Sequence, residues 1–508
     1  MQAQGQWPQQ QQQYYPPPGG PPGPTPEYAP QYAPPSEPFF NDTKSPYEND
    51  RFKPKKRIND PIVLILFILQ FLGFAALSGI TIASWVKDNG LGGGLGKGND
   101  GTAVTLNQST VYLLLLVTAA ALLLSSVYLM LVRAFTKIIM HITLILSILL
   151  NVYAPAIRVY YWLTKYYCGC FTIIALFSIL SYFGFKSRIP LASLLLQVVI
   201  DVSKHHLSVY VVAFTALLIQ ALLAVSVQIN CCRPTYGFPA CATTSCSSGK
   251  VAGLVFFEVF SFLWTSQVIG NVALATLAGG PYGCWYYFGP RGEGDMPKHP
   301  TLSAFGRAST LSLGSIAFGS LIVTLLELLK MILRAAENSA NADGHPVEAC
   351  LACCAACFVG LIENLVQYFN RYAYIEIALY GKPYITAAKV HSLLQDRGVS
   401  AIVNDSLVGM TLTWGGYAVG MLSSLFSYLY LRLTAPAYNA DGNYTAPVLL
   451  FAFLIGLQCS LTLSSAIEAG VSTIFVGLGE DPQVLAIRAP ALFALIAQTY
   501  PDVVQGVV

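Results

Sequence analysis

Ten runs of apolar residues, each close to or longer than twenty, limit this chain to very few folds. They lie near 61–85, 110–132, 135–156, 165–185, 206–229, 251–279, 308–333, 348–370, 404–433 and 446–470. A helix needs about 20 such residues to cross the hydrocarbon core of a bilayer. Only 10% of the residues are charged, with a mean hydropathy of +0.55; a soluble domain carries about a quarter charged residues because its surface meets water. The pattern predicts an all-α polytopic membrane protein with about ten transmembrane helices. The first run starts only at Pro61 and is expected to act as an uncleaved anchor.

Composition divides the chain. Residues 1–46 are Gln, Pro, Tyr and Gly with almost no aliphatic side chains, which predicts a disordered tail. Its Pro-rich stretches offer candidate polyproline II ligands for a polyproline-binding partner. Residues 47–60 form a basic juxtamembrane segment, 61–476 the membrane domain, and 477–508 a C-terminal tail.

Charge orients the spans. With both termini cytoplasmic, 19 of the 28 Lys and Arg fall inside, six of them before the first span. That is the positive-inside bias. Cys231, Cys232, Cys241 and Cys246 then share one outer loop, 230–250, where disulfides are permitted. Three pairings are open, and a bridge from each adjacent cysteine to Cys241 or Cys246 is expected rather than a zinc site. The sequons at Asn107 and Asn443 fall in outer loops and are candidate glycosylation sites. The second cluster, Cys350, Cys353, Cys354 and Cys357, has metal-like spacing but lies within an apolar run, where small residues favour close helix packing. No metal and no cofactor are expected.

Enzyme signatures are missing: no HExxH, no GxSxG, and in Gly90–Gly101 a glycine-rich stretch without the phosphate-loop spacing. A net charge of +3, with no extended basic stripe, argues against nucleic acid. Polar residues inside the runs are the remaining candidates for function, because burying them in lipid is costly. Gln70, His141, Asn151, Gln220, Asn271 and Asn364 are among them; Asn404, Asp405 and Glu468 are assigned to helix ends at the interface. Glu258, Glu327 and Glu363 lie deeper, with Trp264 and Tyr368 on the same helices. Acidic and aromatic groups together suit an organic cation, so these five are the candidate substrate-binding residues; pairing within the bundle is the alternative. Small-residue strings at Gly314–Ser320 and Thr413–Gly416 allow close packing or local unwinding.

The string Phe369–Tyr384 (FNRYAYIEIALYGKPY) resembles the signature of the choline transporter-like family. So do Phe318-Gly-Ser-Leu-Ile-Val, Lys186-Ser-Arg-Ile-Pro-Leu and Cys284-Trp-Tyr-Tyr287. The Pro/Gln tail and the string Phe475–Pro482 resemble its fungal, "pH nine sensitive" branch. The resemblance covers roughly residues 60–505. It implies a ten-helix plasma-membrane protein with both ends inside that moves a small solute across the lipid bilayer, choline or ethanolamine in animal members. For the fungal branch the substrate stays open. A non-transporting scaffold or sensor using the Pro-rich tail is the alternative. Asn370, Arg371, Tyr374, Gly381 and Lys382 are expected to form an inner gate or a structural turn, since Gly381-Lys-Pro383 would end a helix.

The topology makes a direct prediction. In a glycosylating host, Asn107→Gln and Asn443→Gln should each remove one endoglycosidase-sensitive step in gel mobility. A wild-type chain with no such step would remove the sequons from the case for this orientation.

Overall fold

The chain divides into two units, Met1–Glu48 and Asn49–Val508. The computed structural model describes residues 57–87, 108–162, 176, 179–180, 182–232, 248–289, 297–393, 395–436, 439, 442 and 444–499, all in the second unit. The predicted tail 1–46, most of segment 47–60, Asn107, Cys241, Cys246 and Asn443 lie outside the described residues, as do the side chains of Cys231 and Cys232.

Among the described residues the secondary structure is helical, with no strand. The elements are α1 (Pro61–Lys87), α2 (Gln108–Trp162), α3 (Ile189–His205), α4 (Ser208–Cys232), α5 (Ser248–Leu277), α6 (Gly283–Phe288), α7 (Pro300–Ser309), α8 (Leu313–Ala342), α9 (Pro346–Tyr380), α10 (Tyr384–Leu393), α11 (Gln395–Thr434), α12 (Thr445–Glu480), α13 (Pro482–Arg488) and α14 (Pro490–Thr499). Six helical stretches are long and apolar enough to cross a membrane: 61–80, 112–150, 253–288, 313–342, 346–380 and 445–480. The pair α3–α4, bent by 89° at the break between them, makes a seventh if it counts as one span. The protein is a multi-pass membrane protein. Its outward faces fit that setting: on α1, Ile62, Leu66 and Leu69 are exposed while Phe67, Gln70 and Phe74 are buried.

Two of the predicted spans fall in the single 55-residue α2, which leaves helical geometry at Phe135 (φ −122°, ψ 34°). The Tyr128 hydroxyl donates to the Thr411 carbonyl at 2.6 Å, and Thr143 and Thr411 share a hydroxyl hydrogen bond at 3.2 Å. In a straight helix residues 128 and 143 would stand about 22 Å apart at 1.5 Å per residue. The Trp414 indole also donates to Ser147 at 2.6 Å. The helix therefore bends sharply at Phe135, and both halves lie along the same stretch of α11. Most of the predicted span 165–185 lies outside the described residues. The predicted span 404–433 lies within α11, whose Gly, Ser, Thr and Tyr content keeps it out of the apolar six.

The helices gather into two bundles. In one, α8 packs along α9, α5 packs against α4 and α8, and α1 lies against α8. In the other, α11 packs along α12, and both pack against α2. Helix α3 lies against α2, α11 and α12. Contacts between α9 and α12 across the seam are far sparser than those between α8 and α9 or between α11 and α12. Glycines set the closest approaches. A Cβ on Gly420 would meet the Phe453 ring at 2.9 Å, and one on Gly415 would overlap the Tyr128 ring.

Overpacking at such a contact costs about 1–3 kcal/mol. Gly415→Val is expected to lower the melting temperature of detergent-solubilised protein, whereas Gly79→Ala, with open space around it, should not. Equal melting of the two variants would mean that the α2–α11 approach is not close.

Candidate functional site: a cavity between the bundles above a polar knot

At one end of the first bundle the chain enters α1 through Asn59 and Asp60. The Asn59 amide donates to the Leu311 carbonyl at 3.0 Å, and its side chain donates to the Gly381 carbonyl at 2.7 Å. Asp60 holds a left-handed backbone (φ 49°), which Asp tolerates better than most residues. Its carboxylate accepts from the Ser315 hydroxyl at 2.6 Å and from the Tyr384 backbone N–H at 3.0 Å. Gly381 ends α9 in the left-handed conformation (φ 64°), as Gly-Lys-Pro predicts, and its N–H returns to Ile377 at 2.9 Å. The Tyr384 hydroxyl donates to Asn370 Oδ1 at 2.5 Å, and Asn370 Nδ2 donates to the Gly319 carbonyl at 2.9 Å. Burial pushes the Tyr384 hydroxyl pKa up, which keeps it a neutral donor. A Cβ on Gly319 would strike the Tyr374 and Tyr384 rings, so only glycine lets α8 pass this close.

The knot extends sideways. Lys382 pairs with buried Glu376 at 2.9 Å and lies 4.3 Å from the centre of the Tyr380 ring. The Tyr380 hydroxyl donates to Glu480 at the end of α12, and the Tyr286 hydroxyl donates to the Asp481 carbonyl at 3.1 Å. Helix α5 breaks at Gly279-Gly280-Pro281, where Arg307 takes the Gly279 carbonyl at 3.1 Å.

Beside this knot, on the seam, lies a cavity of about 350 Å³. That is within the size range of small-molecule sites. Four helices present residues at i, i+3, i+4 and i+7 spacings, most of them polar or small. These are Ala213, Ala216, Leu217 and Gln220 on α4; Gln267, Gly270, Asn271 and Leu274 on α5; Gln367, Asn370, Arg371 and Tyr374 on α9; Gln458, Thr462 and Ser465 on α12, with Glu468 a turn further on. Arg371 and Glu468 form an ion pair across the seam at 3.2 Å. Asn370 and Tyr374 are buried, whereas Gln367, Gln458 and Ser465 are exposed. The cavity is therefore closed toward the knot and open away from it.

Of the residues expected at a gate or turn, Asn370, Arg371 and Tyr374 line the cavity, while Gly381 and Lys382 sit in the knot beneath it. None of the five expected substrate-binding residues lines it. Trp264 is a packing residue; its indole donates to the Ala317 carbonyl at 3.0 Å and its ring meets Phe67 at 5.3 Å. The Tyr368 ring packs tilted against that of Tyr372, centroids 4.8 Å apart. Glu363 is buried and paired with Lys330, and Gln367 donates to it at 3.2 Å. Glu327 is half-buried on α8, and Glu258 is buried on α5. Glu468, assigned from the sequence to the interface, lines the cavity instead, because α12 runs on to Glu480 rather than ending near 470. Of the α9 cysteines, Cys350 and Cys357 are exposed and Cys353 and Cys354 half-buried. Sequence reasoning missed Gln267, Gln367, Gln458, Thr462 and Ser465; their common helical spacing is the signal that would have found them.

An all-helical, multi-pass membrane protein with a polar cavity between two bundles is the class this architecture defines. Residues 169–483 match the family described as plasma-membrane choline transporter. The chain is 55% identical over 488 residues to Protein PNS1 of Cryptococcus neoformans, covering 93% of this chain and 88% of that one. It is 41% identical to Protein PNS1 of Mycosarcoma maydis, over 93% and 90% of the two chains. It is 36% identical to Protein PNS1 of Candida albicans, over 92% and 91%. The chain belongs to the choline transporter-like family, in its fungal branch.

The knot is testable by coupling. Tyr384→Phe leaves Asn370 Oδ1 without its buried donor, a loss of about 1–3 kcal/mol. Combining it with Asn370→Ala should cost clearly less than the two single losses added together. Additive losses in melting experiments would show that the two side chains do not interact.

Proposed function

We propose that the protein carries a small polar solute across the plasma membrane by alternating access, with the seam cavity as its binding site. The observation that carries this reading is the cavity's position. It lies between two bundles and is lined from both. Rocking one bundle against the other around such a site is how many secondary transporters expose it to each side in turn. Family membership supports the same reading.

In this proposal the chain crosses the membrane ten times, with both termini cytoplasmic. The sharp bend at Phe135 supports counting α2 as two spans, and the length of α11 supports a span there. Arg307, Lys382 and Arg488 stand near the knotted end, which supports that end as the cytoplasmic one. The cavity then faces outward, with the knot closing its inner side. Glycosylation at Asn107 and Asn443 and disulfides within loop 230–250 belong to the same proposal. The scaffold alternative rests on residues 1–46 and a polyproline-binding partner.

Uptake into cells with and without the gene, over choline, ethanolamine and a wider panel of small polar solutes, tests the reading. Gene-dependent uptake of at least one solute is expected, surviving deletion of residues 1–46 and falling about tenfold or more with Asn271→Leu, which strips a hydrogen-bonding group from the cavity. A phenotype lost on deleting the tail, with no flux for any solute, would favour the scaffold instead.

A further inference from the structure

The hydrogen bonds of the cavity lining narrow its ligand, given that it is a transport site. Gln220 Nε2 donates to the Ser266 carbonyl at 3.0 Å. Asn271 Nδ2 donates to Ser320 Oγ at 2.9 Å, and that hydroxyl spends its own proton on the Ile316 carbonyl at 2.8 Å. Gln367 Nε2 donates to the Glu363 carboxylate at 3.2 Å, and Gln267 donates to Glu327. These partners only accept, so each amide is turned with its nitrogen toward the protein. Each keeps both lone pairs of its oxygen and one N–H. On α12 the Thr462 and Ser465 hydroxyls give their protons to the Gln458 and Thr462 carbonyls, at 2.8 and 2.9 Å, and keep only acceptor capacity. Acceptors therefore outnumber donors, and they stand on α4, α5, α9 and α12 alike.

Two of these amides carry charge into the cavity. Behind them, on α8 and α9, stand two carboxylates, Glu327 and Glu363, with one ammonium, Lys330, which pairs with Glu363. The lining itself adds no net charge, since Arg371 and Glu468 sum to zero. An amide that donates to a carboxylate is polarised, and its oxygen accepts more strongly. Gln267 and Gln367 thus pass the surplus negative charge to a ligand that the carboxylates do not touch. A quaternary ammonium has no N–H to use it and relies on aromatic faces, yet Tyr374 is the one aromatic residue in the described lining. A primary ammonium directs its N–H bonds from one end. A guanidinium fans its N–H bonds around a plane and reaches acceptors on several walls at once.

We propose that the cavity binds a small guanidinium cation, held by the side-chain oxygens of Gln267 and Gln367, with Glu327 and Glu363 as positioning residues behind them. The two glutamates then act on the ligand through the amides, which is how carboxylates outside the cavity set its preference for charge.

Titration calorimetry on the purified full chain tests it with methylguanidine and matched probes. Urea keeps the planar N–H fan without the charge, choline keeps the charge without the N–H bonds, and ethanolamine carries both at one end only. Methylguanidine is expected to bind about tenfold or more tighter than each of the others. Gln267→Met and Gln367→Met, which remove an acceptor, should each erase that margin. Glu327→Gln, which removes charge and keeps a hydrogen-bonding group, should weaken methylguanidine and leave urea unchanged; a merely structural loss would weaken both equally. A smaller margin in the wild-type chain, no binding of methylguanidine, or an unchanged methylguanidine-to-urea ratio in Glu327→Gln overturns the inference. Uptake separates the two levels. Flux of choline or another solute without tighter binding of methylguanidine sinks only this inference, whereas methylguanidine binding with no flux of any solute in the wider panel sinks the transport reading and leaves the site.

Discussion

The Asp60 carboxylate is the contact on which one end of the molecule depends. It joins the start of α1, the start of α8 through Ser315 and the start of α10 through Tyr384, while neighbouring Asn59 takes the last carbonyl of α9. In lipid no water is at hand to satisfy a helix end, so each orphan amide and carbonyl needs a protein partner. The carboxylate takes the first N–H of α10 and a hydroxyl on α8, and the Asn59 side chain takes the carbonyl that caps α9. That explains the tolerated left-handed backbone at Asp60 and the absence of a side chain on Gly314, whose Cβ would collide with the Asn59 and Asp60 carbonyls. Local strain is held because the surroundings over-determine it.

With that end closed, the polar stripes on α4, α5, α9 and α12 have few places to go. Within a bundle, small and apolar residues pack directly, as at Gly319, Gly420 and Gly456. The glutamines cannot pack that tightly, and they meet where the bundles diverge. The cavity is thus a consequence of which residues fail to interlock. Its amides are partly satisfied from behind, by Ser266, Ser320 and Glu363, so the protein bears the cost of burying them whether or not a solute is present.

Much of the architecture was legible in the sequence, because the bilayer sets helix length and forces the apolar runs. The turn at Gly381-Lys-Pro383 was legible too, since only glycine takes that conformation cheaply. The five candidate binding residues lie outside the cavity for a physical reason. An intramembrane carboxylate signals cost but not how the cost is met, and for Glu363 it is met by Lys330 on the neighbouring helix. Two charges on different helices show no spacing in a sequence. Asp60 was hidden for the opposite reason, lying at the edge of a basic segment where a carboxylate draws no notice. The family signature points to Asn370, Arg371 and Tyr374, whereas Gln367 and the Gln458–Ser465 stripe are readable only from their helical spacing.

Stability is distributed unevenly between these two regions, and that difference bears on motion. The knot is buried and multiply bonded, so opening it strands several polar groups at once. The Arg371–Glu468 pair borders a cavity, with side chains 32% and 17% exposed, and each member is accessible to polar groups that could replace the other. Exchange of partners there costs far less than breaking a sealed network. The seam is therefore the compliant region and the knot the rigid one. A movement that opens the inner side must either break the knot or carry it with the first bundle, letting go only its links to Glu480 and Asp481 at the end of α12. Sparse contacts between α9 and α12, set against dense ones between α8 and α9 and between α11 and α12, make the second course the cheaper one.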